Sequence, residues 1–157
     1  MTFRPNVTVA AIIRYEDKFL LVEEMDRKKH VFNQPAGHLE AGESLYQAIC
    51  REIKEETGLT LTPDGWIGTY MYSSPYKKLT YLRFCFYCEL TSPPGEHFPQ
   101  DPDNDILACH WKTMAEIKAM QSQLRSPLVM ECFNDYLHGV RLPLSTLKDR
   151  RSGDRRG

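Results

Sequence analysis

GHLEAGESLYQAICREIKEETGL, residues 37–59, is the stretch on which the fold turns. Ser44-Leu45-Tyr46-Gln47 forms a capping box, and Gly58 is suited to close the helix in the left-handed conformation with Leu59 folding back, so the end signals predict a helix over 44–57. Leu45, Ala48, Ile49, Glu52, Glu55 and Glu56 recur at spacings of three, four and seven and so share one face. The apolar stripe turns acidic halfway along. A merely solvated acidic patch would lie opposite the core stripe, whereas these glutamates continue it and crowd three negative charges into about two turns. Such crowding costs a few tenths of a kcal/mol per pair on a helix, and more when partly buried, unless a hard divalent cation relieves it. Ligands that are all oxygen favour magnesium or manganese over zinc. Taken alone, the glutamates also fit a surface helix on which they pair with Arg51 and Lys54.

Strand signals surround this helix. Val7 to Ile13 and Phe19 to Val22 are separated by a polar turn and predict an opening hairpin. Val31-Phe32-Asn33-Gln34-Pro35 reads as a short strand that its proline confines to an edge or an end, and a glycine-rich loop follows. Trp66 to Ser73 and Leu79 to Leu90 predict paired strands. Residues 91–104 form a long loop rich in Pro, Asp and Ser, and residues 105–111 give one more strand. Thr113-Met114-Ala115-Glu116 is a second capping box that starts a helix ending near Gln121, and Ser126-Pro127 caps a third that runs to about His138. The order predicts an α+β fold, with one domain over residues 3–140. Residues 141–157 are read as an extension whose basic tail, five basic against two acidic residues from Lys148 onward, is expected to be disordered.

Composition narrows the function classes. A chain of 157 residues can bury a core without staples, and 26% charged with 41% hydrophobic residues is ordinary for a folded domain. The net charge of -1 leaves no global field for nucleic acid or acidic lipid. Nucleic acid is therefore not an expected partner. Cys50, Cys85, Cys88, Cys109 and Cys132 are an odd, scattered set that reads as reduced thiols in the cytoplasm. Cys85 and Cys88 match C-x-x-C, but on a strand they face opposite sides and share no metal. No apolar run approaches the ~18 residues that a membrane span requires, so no membrane partner is expected either. Quaternary structure is expected to be monomer or homodimer.

From Gly37, five residues lead to Glu43, seven more to Arg51-Glu52, and Ile53-Lys54-Glu55-Glu56-Thr57-Gly58-Leu59 completes the string. It fills every defined position of G-x5-E-x7-R-E-U-x-E-E-x-G-U, where U is apolar, and on that motif the chain resembles the Nudix hydrolases. The resemblance implies an α/β/α sandwich around a mixed sheet and a hydrolase acting on phosphorus-containing acid anhydrides, with Mg2+ as cofactor and Mn2+ able to substitute. It implies Glu52 and Glu56 as main metal ligands, and Glu55 as a further ligand or the base that positions water. It further implies that the Gly37 carbonyl joins the metal shell, that Arg51 fixes the direction of a neighbouring carboxylate, and that Glu43 supports it.

Residues 32–40, FNQPAGHLE, and 124–129, LRSPLV, further resemble a bacterial phosphatase subgroup. That likeness implies broad action on nucleoside tri- and diphosphates and on the thiamine-precursor hydroxymethylpyrimidine diphosphate. For such small phosphorylated substrates, Phe32, Tyr72 and Tyr76 are candidates to stack on a ring, and Lys77, Lys78 and Arg83 to meet phosphates. Asp101, Asp103, Asp105 and Glu89 are candidates for an acidic group beyond the box. Competing readings are a Nudix module that senses a nucleotide without cleaving it, and a dinucleoside polyphosphate or RNA 5′-end pyrophosphohydrolase.

Overall fold

The computed structural model describes residues 2–150. The chain begins with β1 (Asn6–Tyr15), β2 (Lys18–Asp26), β3 (Lys29–Asn33) and β4 (Ala36–His38), followed by α1 (Leu45–Thr57). Then come β5 (Gly65–Ser73), β6 (Thr80–Leu90), β7 (Ile106–Thr113), α2 (Met114–Ala119) and α3 (Pro127–Leu137). Single 3-10 turns occupy Gln121–Gln123 and Leu144–Thr146. The capping boxes at Ser44 and Thr113 are both formed, Ser126 caps α3, and Gly58 closes α1 at φ 78°. α2 is shorter than expected, because a 3-10 turn replaces its last residues.

The sheet is mixed and split. β1 runs parallel to β6 from Asn6 opposite Tyr81 to Tyr15 opposite Leu90, and β5 pairs antiparallel with the outer side of β6. A strand buried on both faces needs an unbroken apolar run, and Val9 to Ile13 supplies it. β1 and β2 pair only at the hairpin, Arg14 with Phe19 and Tyr15 with Lys18, and then part. The edge of β1 freed in this way is taken by β4, with Val9 opposite Gly37. β2 pairs instead with β3 on one side and β7 on the other. Two wings result, β7-β2-β3 and β4-β1-β6-β5, and the bend Asn33-Gln34-Pro35 crosses the wedge between them. The sequence reading placed a loop where β4 forms. Three residues paired to β1 alone are held by register and carry no alternating pattern of their own.

Each face of the sheet has its own core. On one, Val9, Ala11, Ile13, Leu20 and Phe86 meet Ala48, Ile49 and Ile53 of α1. On the other, Ile12, Phe19, Leu21 and Ile67 meet Ile117 of α2 and Leu128, Val129, Cys132, Phe133 and Tyr136 of α3. This is the α/β/α sandwich. Cys85 belongs to the α3 side and Cys88 to the α1 side, so the two thiols stand on opposite faces.

The extension from residue 141 begins on the domain itself. Trp66 and Leu142 exchange backbone hydrogen bonds of 3.0 and 2.8 Å, Trp66 Nε1 donates to Thr146 Oγ1 at 2.7 Å, and Leu144 and Leu147 lean on the α1-side core. The basic tail falls mostly on residues 151–157, outside the described residues.

Candidate active site

The buried stripe of α1 is Ala48, Ile49, Glu52, Ile53 and Thr57, so Glu52 faces inward among apolar neighbours, 8% exposed. The Glu56 carboxyl is buried on its flank, and the Glu55 side chain, 31% exposed, is turned further toward solvent. Gly37 lies directly against the Glu52 carboxyl: a Cβ at that position would stand 2.1 Å from Glu52 Cδ and 2.2 and 2.4 Å from its oxygens. Glu56 Oε1 accepts a 2.8 Å hydrogen bond from the Ala36 amide. The strand β4 is thus laid across two of the three acids.

Arg51 organises the remainder. Its Nε and Nη2 clasp Glu43 at 3.0 and 2.7 Å, Nη2 also donates to His38 O at 3.0 Å, and Nη1 reaches Glu52 Oε1 at 2.7 Å and Glu55 Oε2 at 3.2 Å. Only a planar fork serves so many acceptors at once. Glu43 in turn accepts from the Glu40 amide at 2.8 Å, which fixes the loop before the helix.

Charge in this site is under-compensated. Burial pushes the Glu52 carboxyl up to about 7 against the pull of Arg51, with Glu55 and Glu40 adding to the rise. Burial also raises Glu56 well above the carboxylate range, against the Ala36 amide, and Glu24, Glu52 and Asp101 push the same way. Glu43 is held low by its bond to Arg51. Among the described residues, no group of three or more His, Cys, Asp or Glu side chains is already gathered into a cation cage. Arg51 and the Ala36 amide occupy one oxygen of each acid and leave Glu52 Oε2, Glu55 Oε1 and Glu56 Oε2 for a cation. An all-oxygen donor set beside a glycine that admits no side chain fits a hard divalent ion.

The long loop after β6 is fastened to the C-terminal end of α1. The Gln100 amide donates to Glu55 O at 2.6 Å, and the Phe98 carbonyl fills the space where a Cβ on Gly58 would sit. His97 Nδ1 meets Thr57 O at 2.7 Å while its Nε2 lies 3.0 Å from Trp111 Nε1. Indole N–H can only donate, so the imidazole is neutral with its proton on Nδ1. These ties carry Asp101 to where its charge is felt at Glu56. Asp101 accepts from the Asp103 and Asp105 amides at 3.1 and 2.7 Å, which makes it the turn former of the loop as well. Glu89 is engaged elsewhere, by the Tyr136 hydroxyl at 3.0 Å.

The NUDIX domain family profile matches residues 2–132. The chain belongs to the NUDIX family. It is similar to Phosphatase NudJ of Escherichia coli strain K12, with 44% identity over 149 residues that cover 94% of this chain and 93% of the relative. A solved NUDIX hydrolase from Nitrosomonas europaea superposes with a TM-score of 0.85 at 44% identity, covering 94% of this chain and 98% of that one. A MutT protein from Methanosarcina mazei Go1, at 19% identity and TM-score 0.71 over 88% and 98% of the two chains, shares the fold. The chain is accordingly a NUDIX hydrolase, an enzyme of phosphorus-containing acid anhydrides, and similar to a NudJ phosphatase.

Of the residues assigned to substrate from sequence, this NUDIX structure gathers some and separates others. Arg83 is buried in the wedge, opposite Thr8 and away from the hairpin joint, where Nη1 donates to Gln34 Oε1 at 2.8 Å. Phe32 is half-buried, its ring edge-on to His110 at 5.5 Å, and Tyr72 packs against the α3-side core. Tyr76 stands 81% exposed in the turn joining β5 to β6. There Arg27 lies over its ring at 5.9 Å and Lys77 approaches Asp26 at 4.0 Å, so this turn meets the turn of the other wing. Glu24, Asn33, Gln34 and Arg125 were not read as site residues. Asn33, Gln34 and Arg125 fall inside the two subgroup stretches and were the available signal, whereas Glu24 on β2 had none.

Proposed function

We propose that the chain is a magnesium-dependent phosphatase, with Mn2+ able to substitute, that hydrolyses phosphoanhydride bonds of nucleoside tri- and diphosphates and of the thiamine-precursor hydroxymethylpyrimidine diphosphate. The reading rests chiefly on one observation: two buried carboxyls, Glu52 and Glu56, are pressed against Gly37 and Ala36 with a single guanidinium to offset them. Glu52, Glu55 and Glu56 hold the metal, with the Gly37 carbonyl as a further oxygen ligand. A metal held there would supply neutralisation of the anhydride oxygens and a better water nucleophile. Glu55, the most exposed of the three, orients the attacking water and takes its proton, and Arg51 aims Glu52 and Glu55 through its Nη1. Glu43 and the His38 carbonyl hold Arg51 in place. No side chain needs to form a covalent bond to phosphorus.

The NudJ relative and the FNQPAGHLE and LRSPLV stretches support the substrate class. All five cysteines are free thiols, which supports a reducing cytoplasmic setting, and no described helix is long and apolar enough to cross a membrane. The decisive assay is phosphate and pyrophosphate release, with and without magnesium, across nucleoside tri- and diphosphates, ADP-ribose, dinucleoside polyphosphates and thiamine-pathway diphosphates. Metal-dependent orthophosphate release that Glu52→Gln lowers by orders of magnitude is the expected result. Undiminished turnover by folded Glu52→Gln overturns it.

A further inference from the structure

The last carbonyls of an α-helix lack partners within it. Beyond Lys54 O, which the Gly58 amide closes at 2.9 Å, those of α1 belong to Glu55, Glu56 and Thr57. All three are met by donors distant in sequence. The Gln100 amide reaches Glu55 O at 2.6 Å, the Cys109 thiol reaches Glu56 O at 3.3 Å, and His97 Nδ1 reaches Thr57 O at 2.7 Å. Two of these three residues, Glu55 and Glu56, carry motif carboxyls. The carbonyl end of a helix bears roughly half a negative charge, so both acids sit where the dipole opposes them. Glu24, itself held by Arg125 and Asn33, pushes on Glu56 from the wedge as well. Terminal turns fray or tighten unless they are tied, and this one is tied completely. Glu56 is held at both ends, its carbonyl by Cys109 on one wing and its carboxyl by the Ala36 amide on the other.

We propose that His97 is a positioning residue of the metal site: it ties the last turn of α1 to β7 and so sets the direction in which Glu55 and Glu56 present their oxygens. The chemistry of its two neighbours selects the side chain. Thr57 O only accepts and Trp111 Nε1–H only donates, so the group between them needs a donor at one end and an acceptor at the other. A lysine or arginine would satisfy Thr57 O and suit the dipole, but neither can accept from Trp111, and a carboxylate cannot donate. A neutral imidazole does both, at 2.7 and 3.0 Å. Trp111 leans on the α1-side core and stands edge-on to the imidazole, with ring centroids 5.9 Å apart, so its N–H is a fixed point that holds the tautomer. His97 bonds to Thr57 and Trp111 and not to a motif carboxyl, so it acts through the backbone of α1. The Gln100 amide, three residues on, closes the same cap. The inference rests on the hydrolase reading above for what Glu55 and Glu56 hold.

The test measures magnesium and manganese binding by calorimetry on substrate-free protein, beside the metal concentration that half-activates phosphate release. His97→Ala is expected to weaken binding about tenfold and to raise the half-activating concentration equally, with kcat at saturating metal kept within about threefold. His97→Gln, whose amide carries both a donor and an acceptor, is expected to recover binding to within about twofold of wild type. Trp66→Phe is the matched control: it loses an indole hydrogen bond of 2.7 Å to Thr146, and should lower the melting temperature while leaving metal binding alone. Binding unmoved in folded His97→Ala overturns the proposal, and so does a glutamine variant as weak as the alanine one. If the alanine variant does not fold, Trp111→Phe takes its place. Loss of that N–H is expected to weaken binding about threefold, and unchanged binding overturns the proposal. Wild-type protein that binds neither metal fails the hydrolase reading by itself. Amide hydrogen exchange over residues 54–58 then decides the cap: faster exchange in His97→Ala with recovery in His97→Gln supports it, and equal exchange refutes it.

Discussion

Gly37→Ala puts the whole site under one methyl group. Its Cβ would arrive 2.1 Å from Glu52 Cδ, where two carbons rest at ~3.5 Å, so the carboxyl must retreat by more than about 1 Å. It has little room to do so, being 8% exposed, tied to Arg51 at 2.7 Å and carried on a helix face packed into the core. A displacement of ~1 Å at reacting or metal-binding atoms costs roughly 100-fold in rate. Magnesium-dependent phosphate release should therefore fall at least that far in kcat/KM, and the overpacking, about 1 to 3 kcal/mol, should lower the melting temperature by a few degrees. Gly42→Ala is the control. Its φ of 86° makes alanine strained, by about 1 to 2 kcal/mol, but a Cβ there meets nothing within 4 Å. That variant should lose stability and keep its activity within about threefold, a factor that represents ~0.65 kcal/mol. If Gly37→Ala retains more than a third of wild-type kcat/KM, the contact between Gly37 and Glu52 does not govern the site.

Arg51→Lys keeps the charge but cannot clasp Glu43 while reaching His38, Glu52 and Glu55, so a magnesium titration should show activation shifted roughly 10- to 100-fold to higher metal. Without metal, the raised Glu52 carboxyl holds a proton that the unfolded chain has already lost between about pH 4.3 and its folded value of about 7. Its contribution to stability consequently worsens as pH rises through that window. In EDTA, the gain in melting temperature from Glu52→Gln should be larger at pH 8 than at pH 5.5, and an equal gain at both refutes the assignment. Deletion after Val140 removes the Leu142 pairing, the Trp66 bond to Thr146 and the packing of Leu144 and Leu147, and should lower the melting temperature by several degrees. Deletion after Leu147 should leave melting, turnover and RNA binding as they were.

The helix end signals, the paired aromatic strands and the motif acids were legible because each is local: a cap, a period or a fixed spacing. What escaped the reading is assembled from distant residues. β4 exists because β1 has a free edge, and Glu24, Asn33, Arg83 and Arg125 become neighbours only through the parting of β1 from β2 and the return of α3. Neither relation leaves a periodic trace. Reading the acidic face as Glu52, Glu55 and Glu56 also passed over Ile53 and Thr57, which set the true centre of the buried stripe. That centre places Glu55 nearer to solvent than its two companions.

The split sheet also has a closed end and an open one. Its two arms are joined at Arg14–Lys18, by two pairs of backbone partners, and touch at their tips through Arg27 over Tyr76 and Lys77 near Asp26. Exposed contacts of those kinds contribute only about 0.5 to 1 kcal/mol each. The angle between the arms is held instead by the two cores, each of which takes side chains from both arms. The width of the opening is therefore set from outside, by the helical layers, and not by the strands that line it.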